Sequence, residues 1–271
     1  MELLASRAGR PLISAHRGFA AAAPENTLAA LELAWRAGAT VAEIDVQLTR
    51  DGRVVLMHDR SVTRTTNGSG LVRDLTFREL KALDAGAWFD RKFAGERVPA
   101  LAEVLDWSRG RLGFLIELKN YPHREMPLVE KTIAEIEAHG AQDYVVPAGF
   151  DHVTLAEIHR IRPQWPLEMI YIARLADPVH AARAAGATLV SLEPEFCLEP
   201  DVKAMHAAGL SVLTTLLNGE HAQELLRIGV DVFESDDVGM AASALGVSPR
   251  AQEGAGAPNH FPSPWRERDK G

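Results

Sequence analysis

Seven side chains hold most of the chemistry this sequence can offer. His16 and Arg17 follow a short apolar run, and Glu43 and Asp45 lie inside TVAEIDVQL. His58 ends the run that starts at Val54, and Glu117 and Lys119 close LGFLIELK. Two imidazoles titrating near neutral pH can act as a general acid and a general base. Three carboxylates aimed into one poorly solvated cavity repel one another unless something compensates them. A bound divalent cation does so. An all-oxygen ligand set with no cysteine nearby favours a hard ion, Mg²⁺ or Ca²⁺. The same acids can instead be salt-bridged to Lys119 or Arg17 with no metal. Arg17 can clamp phosphate oxygens bidentately or pair with an inward acid. His58-Asp59 also reads as a turn with an Asx cap.

This reading requires elements that bring the seven residues together. Strand-like runs occupy residues 12–16, 40–48, 112–118, 143–149, 166–172, 188–193, 210–216 and 230–235. Helical spacing marks 27–37, 127–138, 152–161, 177–185, 199–208 and 220–227. Gly38, Gly140, Gly186, Gly209 and Gly229 each sit between a helical run and a strand, where a left-handed helix end belongs. Alternating β and α units imply a parallel sheet covered by helices, and eight of them fit an α/β fold of the (β/α)8 TIM-barrel type. An open doubly wound sheet is the alternative, and no Gly-rich loop after the first strand supports it. Ile44, Val46 and Leu48 share one face of the second strand, which leaves Glu43, Asp45 and Gln47 inward. Phe114, Ile116 and Leu118 face the helices in the third barrel strand, which turns Glu117 and Lys119 to the axis. Strand ends in such a barrel converge on one mouth.

Residues 49–98 break the rhythm and read as a small insertion after the second strand. It holds an extra strand from Val54 to His58, a short helix near 76–83, and an aromatic patch at Trp88, Phe89 and Phe93. A helix starts near Pro99. Asn26 or Thr27 is the N-cap of the first helix. Glu25 then lies outside the helix or reaches the mouth. Glu193 ends a strand, where it is solvated or meets a substrate hydroxyl. We expect a single catalytic domain over 1–247 and a flexible Gly/Pro-rich tail over 248–271.

The chain has 271 residues, 46% hydrophobic and 24% charged, the composition of a globular protein with a sizeable core. Thirty-seven acids against 29 bases give a net charge of −8, which carries no basic footprint for nucleic acid. An anionic substrate therefore needs a local cationic site. Cys197 is the single cysteine, which suits a reducing compartment. The start, MELLASRAGRPLISAHRG, lacks a basic region followed by a long apolar run, so no signal peptide is expected. No stretch approaches about 18 uninterrupted apolar residues, so no membrane insertion is expected either. A cytoplasmic location follows as the default.

AHRG (15–18), PENTLAAL (24–31), EIDVQLTRDGRVVLMHD (43–59), RTTNGSG (64–70) and IELKN (116–120) occur in order and at suitable spacing. With these runs the chain resembles the glycerophosphodiester phosphodiesterase family, most closely its compact cytosolic bacterial members. The resemblance extends, more weakly, through AAGLSVLTTLLNG (207–219) and GVDVFESD (229–236). It implies a TIM barrel with an insertion after the second strand. It also implies metal-dependent hydrolysis of glycerophosphodiesters, such as glycerophosphocholine or glycerophosphoethanolamine, to glycerol 3-phosphate and an alcohol. His16 and His58 match the family's catalytic histidines, Glu43, Asp45 and Glu117 its metal ligands, and Arg17 and Lys119 its phosphate-side cations. The chain departs from the family at Ala148-Gly149-Phe150, at Thr214 to Asn218, and at Glu234 to Asp237. These positions shape the later strands, so the reaction class is more firmly implied than the alcohol. Lysophospholipid cleavage of the phospholipase D type, using the aromatic patch, and a non-catalytic binding barrel are the other readings.

Overall fold

The computed structural model describes residues 11–121 and 126–250. The expected tail lies outside the described residues from 251 onward, as do residues 1–10. Nine strands form one sheet: β1 Leu12–His16, β2 Val41–Leu48, β3 Val54–Leu56, β4 Gly113–Leu118, β5 Val145–Gly149, β6 Glu168–Tyr171, β7 Leu189–Leu192, β8 Ser211–Thr215 and β9 Val232–Ser235. Eight are parallel and follow the order β1-β9-β8-β7-β6-β5-β4-β2, and the β1–β2 pairing closes the ring. The short β3 runs antiparallel along β2. This is the (β/α)8 barrel expected from the alternating pattern. The strands are one or two residues shorter at several ends than their apolar runs.

The covering helices are α1 Leu28–Ala37, α3 Leu101–Ser108, α4 Met126–Ala138, α5 His152–Ile161, α6 Pro178–Ala185, α7 Glu199–Ala207, α8 Gly219–Ile228 and α9 Val238–Ala244, with the shorter α2 Phe77–Ala82 in the insertion. Local chemistry sets their ends. Thr27 caps α1 by accepting from the Ala30 N–H, and Gly38 ends it at φ 111°. α9 was not marked by a helical run of its own. Asp237 caps it, and Val238, Ala241 and Ala242 are its buried face.

Side-chain alternation divides the core into two layers. Ile44, Val46, Phe114 and Ile116 point outward into the main core beneath the helices. Val41, Leu115, Val146, Leu189, Leu213 and Val232 point inward and fill the bottom of the barrel with an apolar plug. Two residues further along the same strand faces the lining becomes polar, with Glu43, Glu117, Ser191 and Glu234. The plug thus forces solvent access, and any chemistry, to the C-terminal end.

The insertion has its own core of Val55, Met57, Val62, Val72, Leu80 and Val98. Thr76 and Glu79 close a capping box on α2. Trp88, Phe89 and Phe93 stack edge to face at 5.7 and 5.8 Å. No helix among the described residues is long and apolar enough to cross a membrane.

Candidate active site

The mouth of the barrel opens into a cleft of about 350 Å³ lined by His16, Arg17, Glu43, His58, Glu117 and Lys119 among others. Asp45 lies just beneath, bonded to Lys119 and facing Arg17. The structure therefore brings all seven residues singled out from the sequence into one place.

Register explains the acidic cluster. β1 pairs His16 with Glu43, and β2 pairs Asp45 with Glu117, so strand closure stacks the three acids around the axis. Glu43, Asp45 and Glu117 are 5%, 1% and 6% exposed, and one oxygen of each lies within 4.8 Å of the others. Lys119 Nζ stands 2.8 Å from both Asp45 Oδ1 and Glu117 Oε2. Arg17 donates its backbone N–H to Glu43 Oε2 at 3.1 Å and turns its Nε to Asp45 Oδ2 at 3.5 Å. The acids are thus ion-paired to Lys119 and Arg17 and also converge. The cations do not satisfy the whole cluster. Glu43 Oε1 and Glu117 Oε1 are buried without a hydrogen-bond partner among the described residues. Two such orphaned carboxylate oxygens, in an all-oxygen set, fit a hard divalent cation.

The field inside the cluster follows from this packing. Burial, reinforced by Asp45, pushes Glu43 well above the ordinary carboxylate range. Burial likewise lifts Glu117 to about 7 against the pull of Lys119. Burial would raise Asp45 too, but Lys119 and Arg17 outweigh it and hold that carboxyl down.

Each histidine is oriented by a carboxylate. His16 Nδ1 is 2.7 Å from Asp236 Oδ1, and His58 Nδ1 is 2.7 Å from Asp59 Oδ1. A carboxylate only accepts, so Nδ1–H donates in both and Nε2 is left for the cleft. Their environments differ. Burial lowers His16, but the Asp236 hydrogen bond and the charges of Glu234 and Glu43 prevail and raise it to about 10. Burial depresses His58 below its usual value, opposed incompletely by Asp45 and Asp59.

Several supporting residues were not singled out. Asn26, read only as a possible cap, donates Nδ2 to Asp45 Oδ2 at 2.7 Å and accepts the Asp45 N–H at 3.2 Å. Asn26 and Arg17 both adopt left-handed backbone, at φ 55° and 56°, a conformation that needs support from its surroundings. Arg64 grips Glu25 at 2.6 and 2.8 Å and Asp59 at 2.6 and 3.0 Å. Glu25 Oε1 also accepts from Arg17 Nη1 at 3.1 Å, so Glu25 stands behind Arg17 without lining the cleft itself. Gln47 Nε2 contacts the carbonyls of Met57 and Asp59 at 2.8 and 2.6 Å, which anchors the loop after β3 on β2. Strand order alone points to Asp236, because closing β9 onto β1 puts it beside His16. Nothing periodic announces Arg64.

Residues 16–240 match the family model described as "Glycerophosphoryl diester phosphodiesterase family". The glycerophosphodiester phosphodiesterase of Caldanaerobacter subterraneus subsp. tengcongensis is 38% identical over 237 residues, covering 84% of this chain and 95% of the relative. That of Bacillus altitudinis is 35% identical over 229 residues, covering 83% and 94%. An Oleispira antarctica phosphodiesterase solved with the product sn-glycerol-3-phosphate superposes at a TM-score of 0.81 with 29% identity, covering 89% of this chain and 99% of that one. The glycerophosphodiester phosphodiesterase of Agrobacterium tumefaciens superposes at 0.77 with 30% identity, covering 86% and 99%. A closed barrel with two carboxylate-held histidines beside converging acids, matched along nearly its whole length, makes this chain an enzyme of the glycerophosphoryl diester phosphodiesterase family.

Proposed function

We propose that this chain hydrolyses glycerophosphodiesters to glycerol 3-phosphate and an alcohol, with His16 and His58 as the acid/base pair. The observation that carries the reading is the pair of histidines with opposite electrostatic settings flanking one acidic centre. His58, held neutral by burial, accepts the proton of the attacking hydroxyl: water attacks phosphorus directly, or the substrate's own glycerol 2-hydroxyl attacks first to give a cyclic phosphate that water then opens. The bond between phosphorus and the alcohol oxygen breaks, and protonated His16 gives its Nε2 proton to that oxygen. Asp59 and Asp236 hold the tautomers that make this exchange possible.

Glu43, Asp45 and Glu117 would hold one divalent cation, Mg²⁺ or Ca²⁺. Such a cation, when bound, neutralises charge gathering on the phosphate oxygens. Arg17 and Lys119 add fixed positive charge next to the phosphate. A module that only bound such diesters would have no use for two oriented histidines.

Purified, metal-loaded His16→Ala and His58→Ala should each lose about 10²-fold or more in kcat for glycerophosphocholine while keeping their melting temperature. Near-normal turnover by either variant rejects its assignment.

A further inference from the structure

The large apolar side chains left in contact with solvent are not spread evenly over the barrel. Among the described residues, Tyr121 follows β4, Val153 opens α5 after β5, and Ile172 follows β6. Leu198 stands before α7 after β7, and Leu217 follows β8. These five strands are consecutive in the ring, so each successive loop at the C-terminal end carries one such side chain. The five are between 41% and 66% exposed. Together they form an apolar crescent around half of the mouth. The other half of the rim presents charged side chains instead, such as Arg64 and Asp236. A single exposed leucine is ordinary, but a clustered set on one face marks a surface that something covers.

The chemistry of the crescent says what covers it. A stable protein partner needs a continuous patch of about 800 Å². Here the apolar groups stand on separate loops with polar and acidic positions between them, the pattern of side chains that dip singly into a soft apolar boundary. The loops after β5 to β8 carry Asp151, Asp177, Glu193 and Glu195. Arg174 is their one basic residue among the described ones, and it is held by Asp201 at 3.1 Å. A second copy of the chain would bring these acids against themselves, and an anionic lipid surface would repel them. A zwitterionic surface, whose outermost charge is positive, matches them. The crescent is also continuous with the cleft, because Tyr121 lines the cleft as well as being exposed. With the bottom of the barrel plugged by Val41, Leu115 and Leu213, this face is the one a substrate must approach.

We propose that Tyr121, Val153, Ile172, Leu198 and Leu217 rest on a zwitterionic lipid surface and hold the mouth of the barrel against its headgroup layer. The contact is peripheral, since no helix among the described residues can cross a membrane. The proposal takes the mouth as the entry to the site described above, and its test reads binding rather than turnover.

The full chain is floated on a density gradient with extruded phosphatidylcholine vesicles and, in parallel, with phosphatidylglycerol vesicles. It should rise with the first and less with the second. The double variant Ile172→Ser, Leu217→Ser removes two of the most exposed groups, neither of which lines the cleft. Its partitioning onto phosphatidylcholine should fall about tenfold or more, while kcat/KM for dissolved glycerophosphocholine stays at the wild-type value. Val153→Ser on a neighbouring loop gives a second reading if the double variant does not fold. Absence of flotation with phosphatidylcholine, equal or tighter binding to phosphatidylglycerol, or unchanged partitioning of the folded variants overturns the proposal. So does a wild-type dimer in sedimentation velocity that the double variant loses, which would make a second copy the occupant. Each of these results leaves the phosphodiesterase reading standing, and failure of the wild type to turn over dissolved glycerophosphodiesters would overturn that reading alone.

Discussion

Asp59→Asn tests the idea that His58 works only in one tautomer. Asp59 Oδ1 accepts from His58 Nδ1 and from Arg64 Nη2, and Oδ2 accepts from Arg64 Nε at 2.6 Å. An asparagine must put its NH₂ at one of these two places. At the first it faces both His58 Nδ1–H and the guanidinium, so the imidazole must flip tautomer or turn away. At the second it opposes Arg64 Nε, donor against donor, and the Arg64 clamp on the loop opens. Losing a charge-assisted hydrogen bond costs about 1.5–3 kcal/mol, and the Asp59 side chain is 31% exposed, so the lower half of that range applies. That corresponds to a loss of about ten- to fortyfold in kcat. Steady-state kinetics at saturating metal, beside a thermal melt, measures it. Asp59 also raises the His58 pKa, so its removal should move the acidic limb of kcat/KM to still lower pH. A kcat within threefold of wild type, with an unmoved limb, refutes the reasoning.

Three further outcomes follow from the geometry. Asn26→Ala removes the 2.7 Å bond that orients Asp45, and isothermal titration should show divalent-cation affinity falling about ten- to a hundredfold. Gly18→Ala puts a Cβ 2.7 Å from Ala30 Cβ and 2.8 Å from its carbonyl carbon at φ +82°, so urea denaturation should show a loss of about 2–3 kcal/mol. Arg64→Lys keeps the charge but not the two-sided fork that holds Glu25 and Asp59, and kcat should fall about tenfold with KM changed less.

The barrel was legible because its signals are periodic. Apolar residues at alternate positions in EIDVQL and FLIEL fixed which way Glu43, Asp45 and Glu117 point, and the observed register agrees. The seven residues also lie on or directly after strands, where direction can be inferred. The residues that steady them come from turns. Arg64 meets Glu25 across 39 residues and Asp59 across five, and no spacing rule predicts such a loop-to-loop grip. Asn26 was ambiguous for a physical reason. The side chain that caps a helix is the same kind that can hold a carboxylate, and the neighbouring Thr27 took the cap. Glu168 heads a strand in the apolar run PLEMIYI, where one acid looks incidental until the barrel closes and leaves it buried with its Oε2 unpaired among the described residues.

The central claim is that two histidines act beside a divalent cation held by Glu43, Asp45 and Glu117. The most direct measurement is release of glycerol 3-phosphate from glycerophosphocholine by chelator-treated enzyme before and after Mg²⁺ or Ca²⁺ is restored, beside Asp45→Asn. The account predicts loss on chelation, recovery with metal, and a metal titration for the variant shifted to higher concentration. Full activity in chelator, or a variant that titrates like the wild type, would contradict it.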